Sequence, residues 1–247
     1  MKKIVFFILI VFVAYLLYTG VKSVILLRQG VHLLETTKYP SIYKINSTNY
    51  EKRKVTYLVL GDSTAVGVGS SNHENSYSYQ VAQKLARNGF SVEVINIAKS
   101  GSRVSDVVSE QLPKIKEINP NIISISIGGN DATHMTSEDD FKKNMRSIVE
   151  EIEESDAKIV LFGSTPNMFR IPALPRWFSW LAGKKSERQN EVTKSILPSS
   201  FHYIDIFNNA RLQGIKEYAV DWFHPNDRGY EKWAREFTNE LETEELN

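Results

Sequence analysis

A serine and a histidine in this chain have the sequence neighbours that serine nucleophilic chemistry requires. Ser63 lies in the run Gly-Asp-Ser-Thr-Ala-Val-Gly at 61–67, directly after a short apolar segment. His224 follows Asp221 by three residues, so the carboxylate can hold the Nδ1 proton of the imidazole and fix its tautomer. A serine hydroxyl needs such a base to attack a carbonyl carbon. The pattern therefore indicates a nucleophile, a general base and an orienting acid at these three positions.

Each of these motifs also occurs in ordinary turns. Gly-Asp-Ser at a strand end can simply cap a helix, and an Asp three residues before a surface His commonly does the same. The run at 61–67 differs from the Gly-x-Ser-x-Gly elbow of α/β-hydrolases, because Ala65 replaces the second glycine. It also differs from the glycine patterns of nucleotide-binding loops. The other motifs of the chain have to decide between these alternatives.

Two further segments offer donors for the oxyanion of a tetrahedral intermediate, which such chemistry also needs. Gly-Gly-Asn-Asp at 128–131 follows a predicted strand, and the side chain of Asn130 provides an NH2 group. The segment 96–101 leaves another predicted strand and enters a helix, where the N–H of Gly101 lies near the positive end of the helix dipole. Taken singly, each segment is an ordinary Gly/Asn turn.

Strands and helices alternate through the region that carries these motifs. Short runs rich in Val and Ile predict strands at 55–60, 92–97, 122–127, 159–162 and 201–206. Helices are predicted at 77–87, 104–118, 138–154, 185–196 and 227–241. The alternation predicts an α/β fold in which a five-stranded parallel sheet is covered on both faces, a three-layer α/β/α sandwich. Chemistry in such folds lies at the carboxyl ends of the strands, where these motifs fall.

Together and in this order, the four segments resemble the SGNH (GDSL-type) serine hydrolases over residues 55–240. The resemblance implies a flavodoxin-like sheet and an ester-hydrolysing activity. It implies that Ser63 is the nucleophile, with His224 as base and Asp221 as its acid, and that Gly67 is the glycine of the first motif block.

The same resemblance assigns the oxyanion hole. Its implied donors are the backbone N–H of Ser63, the backbone N–H of Gly101 and the side chain of Asn130. Every catalytic position of the family pattern is matched, which favours an active enzyme over a decayed one.

Composition excludes several other classes of protein. The 30 basic and 29 acidic side chains leave a net charge of +1, which gives no general electrostatic attraction for nucleic acid. The absence of cysteine from the sequence excludes a disulfide scaffold, a cysteine nucleophile and a thiolate metal site. No metal-binding sequence motif is present, and the proposed chemistry needs no cofactor, so we predict neither.

The N-terminal region predicts a membrane anchor. Residues 4–21 carry no charge and are long enough to span about 27 Å as a helix, close to the thickness of the hydrocarbon core. Lys2 and Lys3 precede this run, which favours a cytoplasmic N-terminus and an extracytoplasmic domain. A cleaved signal peptide and a secreted protein form the alternative, but the run is long and no small-residue cleavage site follows it.

These patterns divide the chain into three parts. Residues 1–22 are predicted to form the anchor, 23–54 a juxtamembrane amphipathic helix with a polar tether, and 55–247 the hydrolase domain. The alternative for the juxtamembrane helix is that it packs on the domain.

The segment 166–181 is apolar, aromatic and punctuated by proline, without a strand or helix period throughout. Such a segment is typical of a functional loop, so Trp177 and Phe178 are candidates for substrate binding, as a lid, an acyl-binding wall or a lipid contact. The alternative is that both aromatic side chains pack in a small satellite core.

The sequence thus predicts a membrane-anchored extracytoplasmic esterase. Its substrates would be small acyl esters, lipids or acylated glycans, with no nucleic-acid partner. An O-acyltransferase acting on glycan hydroxyls and a non-catalytic anchored binding module are the two alternatives, and the complete set of catalytic residues disfavours the second.

Overall fold

The architecture is that of a computed structural model, which describes residues 2–47, 53–212, 214–241 and 246. Part of the predicted tether, residues 48–52, lies outside the described residues.

A six-stranded sheet forms the centre of the domain, in the order β1-β3-β2-β4-β5-β6. Its strands are β1 (Ile42–Ile45), β2 (Arg53–Gly61), β3 (Phe90–Asn96), β4 (Ile122–Ser126), β5 (Ile159–Gly163) and β6 (His202–Ile204). Strands β2 to β6 are parallel, which confirms the predicted parallel sheet.

The predicted number of five strands was wrong, because β1 adds a sixth at the edge. It pairs antiparallel with β3 and makes the sheet mixed. This strand comes from the segment predicted as a tether. Only Tyr43 and Ile45 pack towards the core, so the alternating pattern covers too few residues to stand out in the sequence.

Nine α-helices are present in the described part of the chain. They are α1 (Lys2–Thr36), α2 (Ser63–Val66), α3 (Tyr77–Arg87), α4 (Val104–Asp106), α5 (Ile115–Ile118), α6 (Gly129–Thr133), α7 (Glu138–Glu153), α8 (Arg176–Ile196) and α9 (Asp227–Asn239). Helices α3 and α9 pack against one face of the sheet, while α4, α5, α7 and α8 cover the other. The three predicted layers are therefore confirmed.

The two cores follow from the alternation of side chains along the central strand. Tyr57 and Val59 of β2 point to the α3/α9 side, where they join Tyr230 and Phe237. Leu58 and Leu60 point to the opposite face and pack with the helices there. All four β2 side chains are completely buried, as expected for a strand between two helical layers.

The helices predicted at 138–154 and 227–241 end one and two residues earlier, and two other predicted helices differ by more than this. The predicted helix 104–118 is interrupted between α4 and α5 by a π-helical turn and a 3-10 turn, and Pro113, which lacks an N–H donor, lies in the second of these. Helix α8 begins at Arg176, nine residues earlier than predicted, so it contains Trp177 and Phe178.

The N-terminal apolar run and the predicted juxtamembrane helix form one continuous helix. Helix α1 extends from Lys2 to Thr36 and is long and apolar enough to cross a membrane. Its first part is exposed, whereas Leu26 near its C-terminal end is buried against the domain.

Candidate active site

Ser63 lies at the turn that joins the central strand to α2. Gly61 ends β2 with a positive φ of 133°, and a Cβ atom there would lie 2.0 Å from the carbonyl oxygen of Ser126. Only glycine therefore fits. The side chain of Asp62 caps α2 by accepting hydrogen bonds from the N–H and the hydroxyl of Thr64, at 2.9 and 2.7 Å. This cap places Ser63 at the first position of the helix.

The side chain of Gln111 also holds this turn, from the face of the sheet that α4, α5, α7 and α8 cover. Its Oε1 accepts a hydrogen bond from the N–H of Gly61, and its Nε2 donates one to the Gly61 carbonyl, both at 2.9 Å. Gln111 is buried, and its Oε1 is the side-chain acceptor for the Gly61 N–H, while the Gly61 carbonyl also accepts from the N–H of Lys99 at 3.1 Å.

The structure joins Ser63, His224 and Asp221 in a chain of hydrogen bonds. Nε2 of His224 lies 2.8 Å from Oγ of Ser63, and Nδ1 lies 2.6 Å from Oδ2 of Asp221. The second carboxylate oxygen of Asp221 accepts from the N–H groups of Phe223 and His224 at 3.0 and 3.1 Å. Exposure is 6% for Ser63, 2% for Asp221 and 7% for His224. One carboxylate oxygen is thus held by the backbone of its own loop, and the other oxygen orients the imidazole.

Asp221 is stabilised as an anion. Burial alone would raise the pKa of its carboxyl, but the hydrogen bond and charge of His224, together with the two backbone N–H groups, bring that pKa below its ordinary value. The neighbouring Asp62 shows the opposite balance, since burial raises its pKa despite the hydrogen bonds from Thr64. The anion that faces the imidazole is therefore Asp221.

Asn130 is brought to the nucleophile at the end of β4. The turn before it requires glycine, because Gly128 has a φ of 109° and its Cβ would lie 2.2 Å from the hydroxyl of Thr165. The Asn130 amide donates one hydrogen bond to the carbonyl of Ser102 at 3.0 Å. An amide NH2 has two hydrogens, so a second can face a ligand.

Asp131 fixes the neighbouring loop. Its Oδ2 accepts from the N–H of Val104 at 3.0 Å, which ties the turn after β4 to the loop 101–104. Gly101 in that loop is exposed and has a φ of 85°. Burial raises the pKa of Asp131 to about 6.

A narrow cavity of about 40 Å³ adjoins the nucleophile. Ser63, Asn130 and His224 line one side of it, and the apolar side chains of Met168 and Ile171 line another. Gly101 is not among its lining residues, so the structure brings Asn130 but not Gly101 to this wall.

A second and larger cavity of about 470 Å³ adjoins Asp221 and His224. Phe178 lines it, whereas Trp177 packs edge-on against Phe178 with ring centroids 5.5 Å apart and is 66% exposed. The opposite wall comes from α1 and was not predicted from the sequence. Gly30, a small residue that follows Arg28 and Gln29 in that helix, was the one available signal.

The chain is similar to a known protein family and to several solved structures. The family model described as the GDSL-like lipase/acylhydrolase family matches residues 59–232. A comparison with curated proteins finds no match.

Several solved structures are similar. The lipase Lip_vut3 from a goat rumen metagenome is 25% identical, with 75% of this chain and 97% of that chain covered at a TM-score of 0.60. TesA is 20% identical over 76% of this chain and 98% of that one, with a TM-score of 0.62. Axe2, an acetylxylan esterase from Geobacillus stearothermophilus, is 19% identical over 80% and 96% of the chains, with a TM-score of 0.57. TesA and Axe2 therefore share the fold of this chain.

Proposed function

We propose, since the chain belongs to the GDSL-like lipase/acylhydrolase family, that it hydrolyses carboxylic esters through a triad of Ser63, His224 and Asp221 while anchored in a membrane by α1. The chain is an ester hydrolase of the SGNH type. The observation that carries the triad is the continuous hydrogen-bonded path from Oγ of Ser63 through the imidazole to the Asp221 carboxylate.

Acylation uses this path in one direction. Oγ of Ser63 attacks the ester carbonyl carbon while Nε2 of His224, 2.8 Å away, accepts the hydroxyl proton. The tetrahedral intermediate then expels the alkoxide, which takes that proton from the imidazolium and leaves as an alcohol. Asp221 stabilises the imidazolium formed between these two steps.

Deacylation repeats the sequence with water. A water molecule gives a proton to Nε2 of His224 and attacks the acyl carbon, and Ser63 recovers its proton as the acid leaves. The oxyanion of both intermediates is bound by the N–H of Ser63 and the side chain of Asn130, the two predicted donors that belong to residues lining the cavity. A donor of this kind contributes about 2.7 to 4 kcal/mol to transition-state stabilisation in a serine protease.

The membrane part of the proposal rests on α1 and the charges beside it. Lys2 and Lys3 precede the uncharged run, which favours an N-terminus in the cytoplasm and a catalytic domain outside it. The alternative of a cleaved signal peptide is disfavoured by the length of the apolar run and by the lack of a small-residue cleavage site after it.

The test is hydrolysis of p-nitrophenyl acetate by the full chain in detergent, compared with Ser63→Ala. We expect a loss of kcat of about 10⁴-fold or more, because the remaining groups cannot supply a nucleophile. Ser109→Ala, at an exposed serine outside the site, is the matched control. Equal turnover by Ser63→Ala and the control would reject the proposed nucleophile.

A further inference from the structure

We propose that the larger cavity binds the hydrocarbon chain of a membrane-lipid ester, so that the anchor helix is itself a wall of the substrate site. This inference rests on the proposed function and adds the substrate class to it. We call this space the α1 cavity. Its walls are Leu26, Val31 and Leu34 of α1 on one side and Leu174 and Phe178 on the other.

Helix α1 is in direct contact with the catalytic loop. A Cβ atom on Gly30 would lie 3.7 Å from Oδ2 of Asp221, so the helix backbone approaches the carboxylate closely. Earlier in the helix, Nζ of Lys22 donates a hydrogen bond to the carbonyl of Pro172 at 2.9 Å and lies 5.0 Å from the ring centroid of Trp222. These contacts hold α1 against the domain at two points along its length.

The chemistry of the α1 cavity selects an apolar occupant. Among the described residues, its only polar side chains are Asp221 and His224, and those two are hydrogen-bonded to each other. A sugar placed there would lose hydrogen bonds to water without replacing them, which is unfavourable for every hydroxyl that is buried. A hydrocarbon chain gains from the same burial. The volume of about 470 Å³ lies within the range of roughly 300–1,000 Å³ typical of ligand pockets.

The α1 cavity is continuous with the reacting groups. Phe223 and His224 line both this cavity and the narrow one that contains Ser63. A chain held against α1 therefore ends beside the imidazole that must reach the scissile bond. The narrow space at Ser63 is left for the ester group.

The position along α1 places the cavity at a membrane surface. Lys22 is the first charge after the apolar run, and Gly30 lies eight residues later, or about 12 Å along a helix axis. Lipid head groups occupy roughly 5 to 8 Å on each side of the hydrocarbon core. Asp221 thus lies just outside the head-group layer.

Exposed aromatic side chains flank Phe178, a residue that lines the α1 cavity. Trp177 and Trp180, at the start of α8 on either side of Phe178, are 66% and 56% exposed. Tryptophan is enriched where proteins meet the membrane–water interface. A lipid chain that leaves the bilayer along this surface exchanges most of its contacts with other lipids for contacts with apolar side chains of the protein.

The test compares long and short esters on the full chain in nanodiscs. Val31→Trp narrows the α1 cavity, and Ile25→Trp makes the same change at an exposed position of the same helix that does not line it. We expect the ratio of kcat/KM for p-nitrophenyl decanoate to that for p-nitrophenyl acetate to fall at least tenfold in Val31→Trp. The reason is that each buried methylene group contributes roughly fourfold to binding. The control should keep the wild-type ratio.

A second variant covers the case in which Val31→Trp does not fold. Phe178→Ala removes part of the wall opposite α1. It should lower the ratio of kcat/KM for the decanoate to that for the acetate, through a higher KM for the decanoate. Leu181→Ala, at a residue that does not line the cavity, is its control. Decyl acetate and ethyl acetate form a parallel series that shows whether the chain belongs to the alcohol or the acyl part.

The outcomes separate this inference from the proposed function. Equal ratios in Val31→Trp, Phe178→Ala and their controls, in both ester series, would overturn the lipid-chain site while leaving the esterase intact. Failure of Ser63→Ala to abolish acetate hydrolysis would instead overturn the proposed function.

Discussion

At the scale of single residues, the arrangement of the proposed triad depends on the backbone of the loop that carries Asp221 as well as on the side chains. Asp221 takes two backbone N–H bonds from its own loop, and this leaves its other oxygen facing Nδ1 of His224. The spacing of three residues between them is what allowed the pair to be predicted. Its meeting with Ser63, 161 positions away, was expected from the family resemblance and from the rule that motifs gather at the carboxyl ends of parallel strands.

Asp131 provides a prediction about stability and pH. Its pKa in the folded protein is about 6, whereas an unperturbed aspartate has a pKa of about 3.9. The unfolded chain therefore loses this proton first as pH rises, and the free energy of unfolding falls between about pH 4 and 6, by roughly 2 to 3 kcal/mol. Thermal unfolding of the detergent-solubilised chain at several pH values measures this.

The variant Asp131→Asn should flatten that decline, because the amide does not titrate and its oxygen can still accept from Val104. An Asp131→Asn profile parallel to the wild type between pH 4 and 6 would show that the carboxylate is not perturbed as described.

Other residue roles were less accessible from the sequence. Asn130 lies beside Ser63 and His224, whereas Gly101 does not line their cavity. Trp177 and Phe178 are neighbours in the chain, but their side chains leave α8 in different directions. Phe178 lines the α1 cavity, whereas Trp177 is exposed. A loop interpretation of 166–181 could not separate them because it lacked the helical period that begins at Arg176.

At the scale of elements, the irregular helix between β3 and β4 has a structural role. Its π-helical turn contains Gln111, whose side chain satisfies both backbone groups of Gly61 at the nucleophile turn. A regular helical pattern was predicted over 104–118, so this connection could not be seen from periodicity. The connection consists of two hydrogen bonds between Gln111 and Gly61, which lie 50 positions apart in the sequence.

We expect Gln111→Leu to lower the free energy of unfolding by about 1 to 3 kcal/mol, since it leaves the buried N–H of Gly61 without its side-chain partner, while the Gly61 carbonyl keeps the bond from the Lys99 N–H. It should also reduce kcat, because the turn that carries Ser63 loses its support. Gln80→Leu, which removes a half-buried bond to the carbonyl of Asn75, should cost less than about 1 kcal/mol. If the two variants were equally stable in thermal unfolding, Gln111 would have no special role.

The edge strand and the long N-terminal helix show what periodicity leaves out. The four residues of β1 join the sheet because β3 offers a free edge, a condition set by the rest of the fold. Helix α1 continues past Val21 because no helix-breaking residue follows, and its second half is held by Lys22 and Leu26 against the domain. Both outcomes depend on tertiary contacts.

At the scale of the whole molecule, the helix that is long and apolar enough to cross a membrane also reaches the loop that carries Asp221. Its Gly30 lies close to the Asp221 carboxylate. Removing α1 would therefore alter the site as well as the proposed membrane attachment.

The orientation can be tested because the chain has no cysteine. We expect Ser109→Cys, at an exposed position of the domain, to react in intact cells with a membrane-impermeant maleimide, since the lysines before α1 favour an extracytoplasmic domain. The unmodified chain serves as the control. Labelling only after permeabilisation would reverse the proposed orientation, and recovery of the labelled protein from the medium would indicate cleavage.

The most direct test of the central claim is identification of the acylated residue. The full chain is mixed briefly with p-nitrophenyl acetate, quenched in acid and analysed by peptide mass spectrometry. We predict an acetyl group on Ser63 that is absent from Ser63→Ala and from an unreacted sample. Turnover in which the acetyl group resides on another residue would contradict the mechanism.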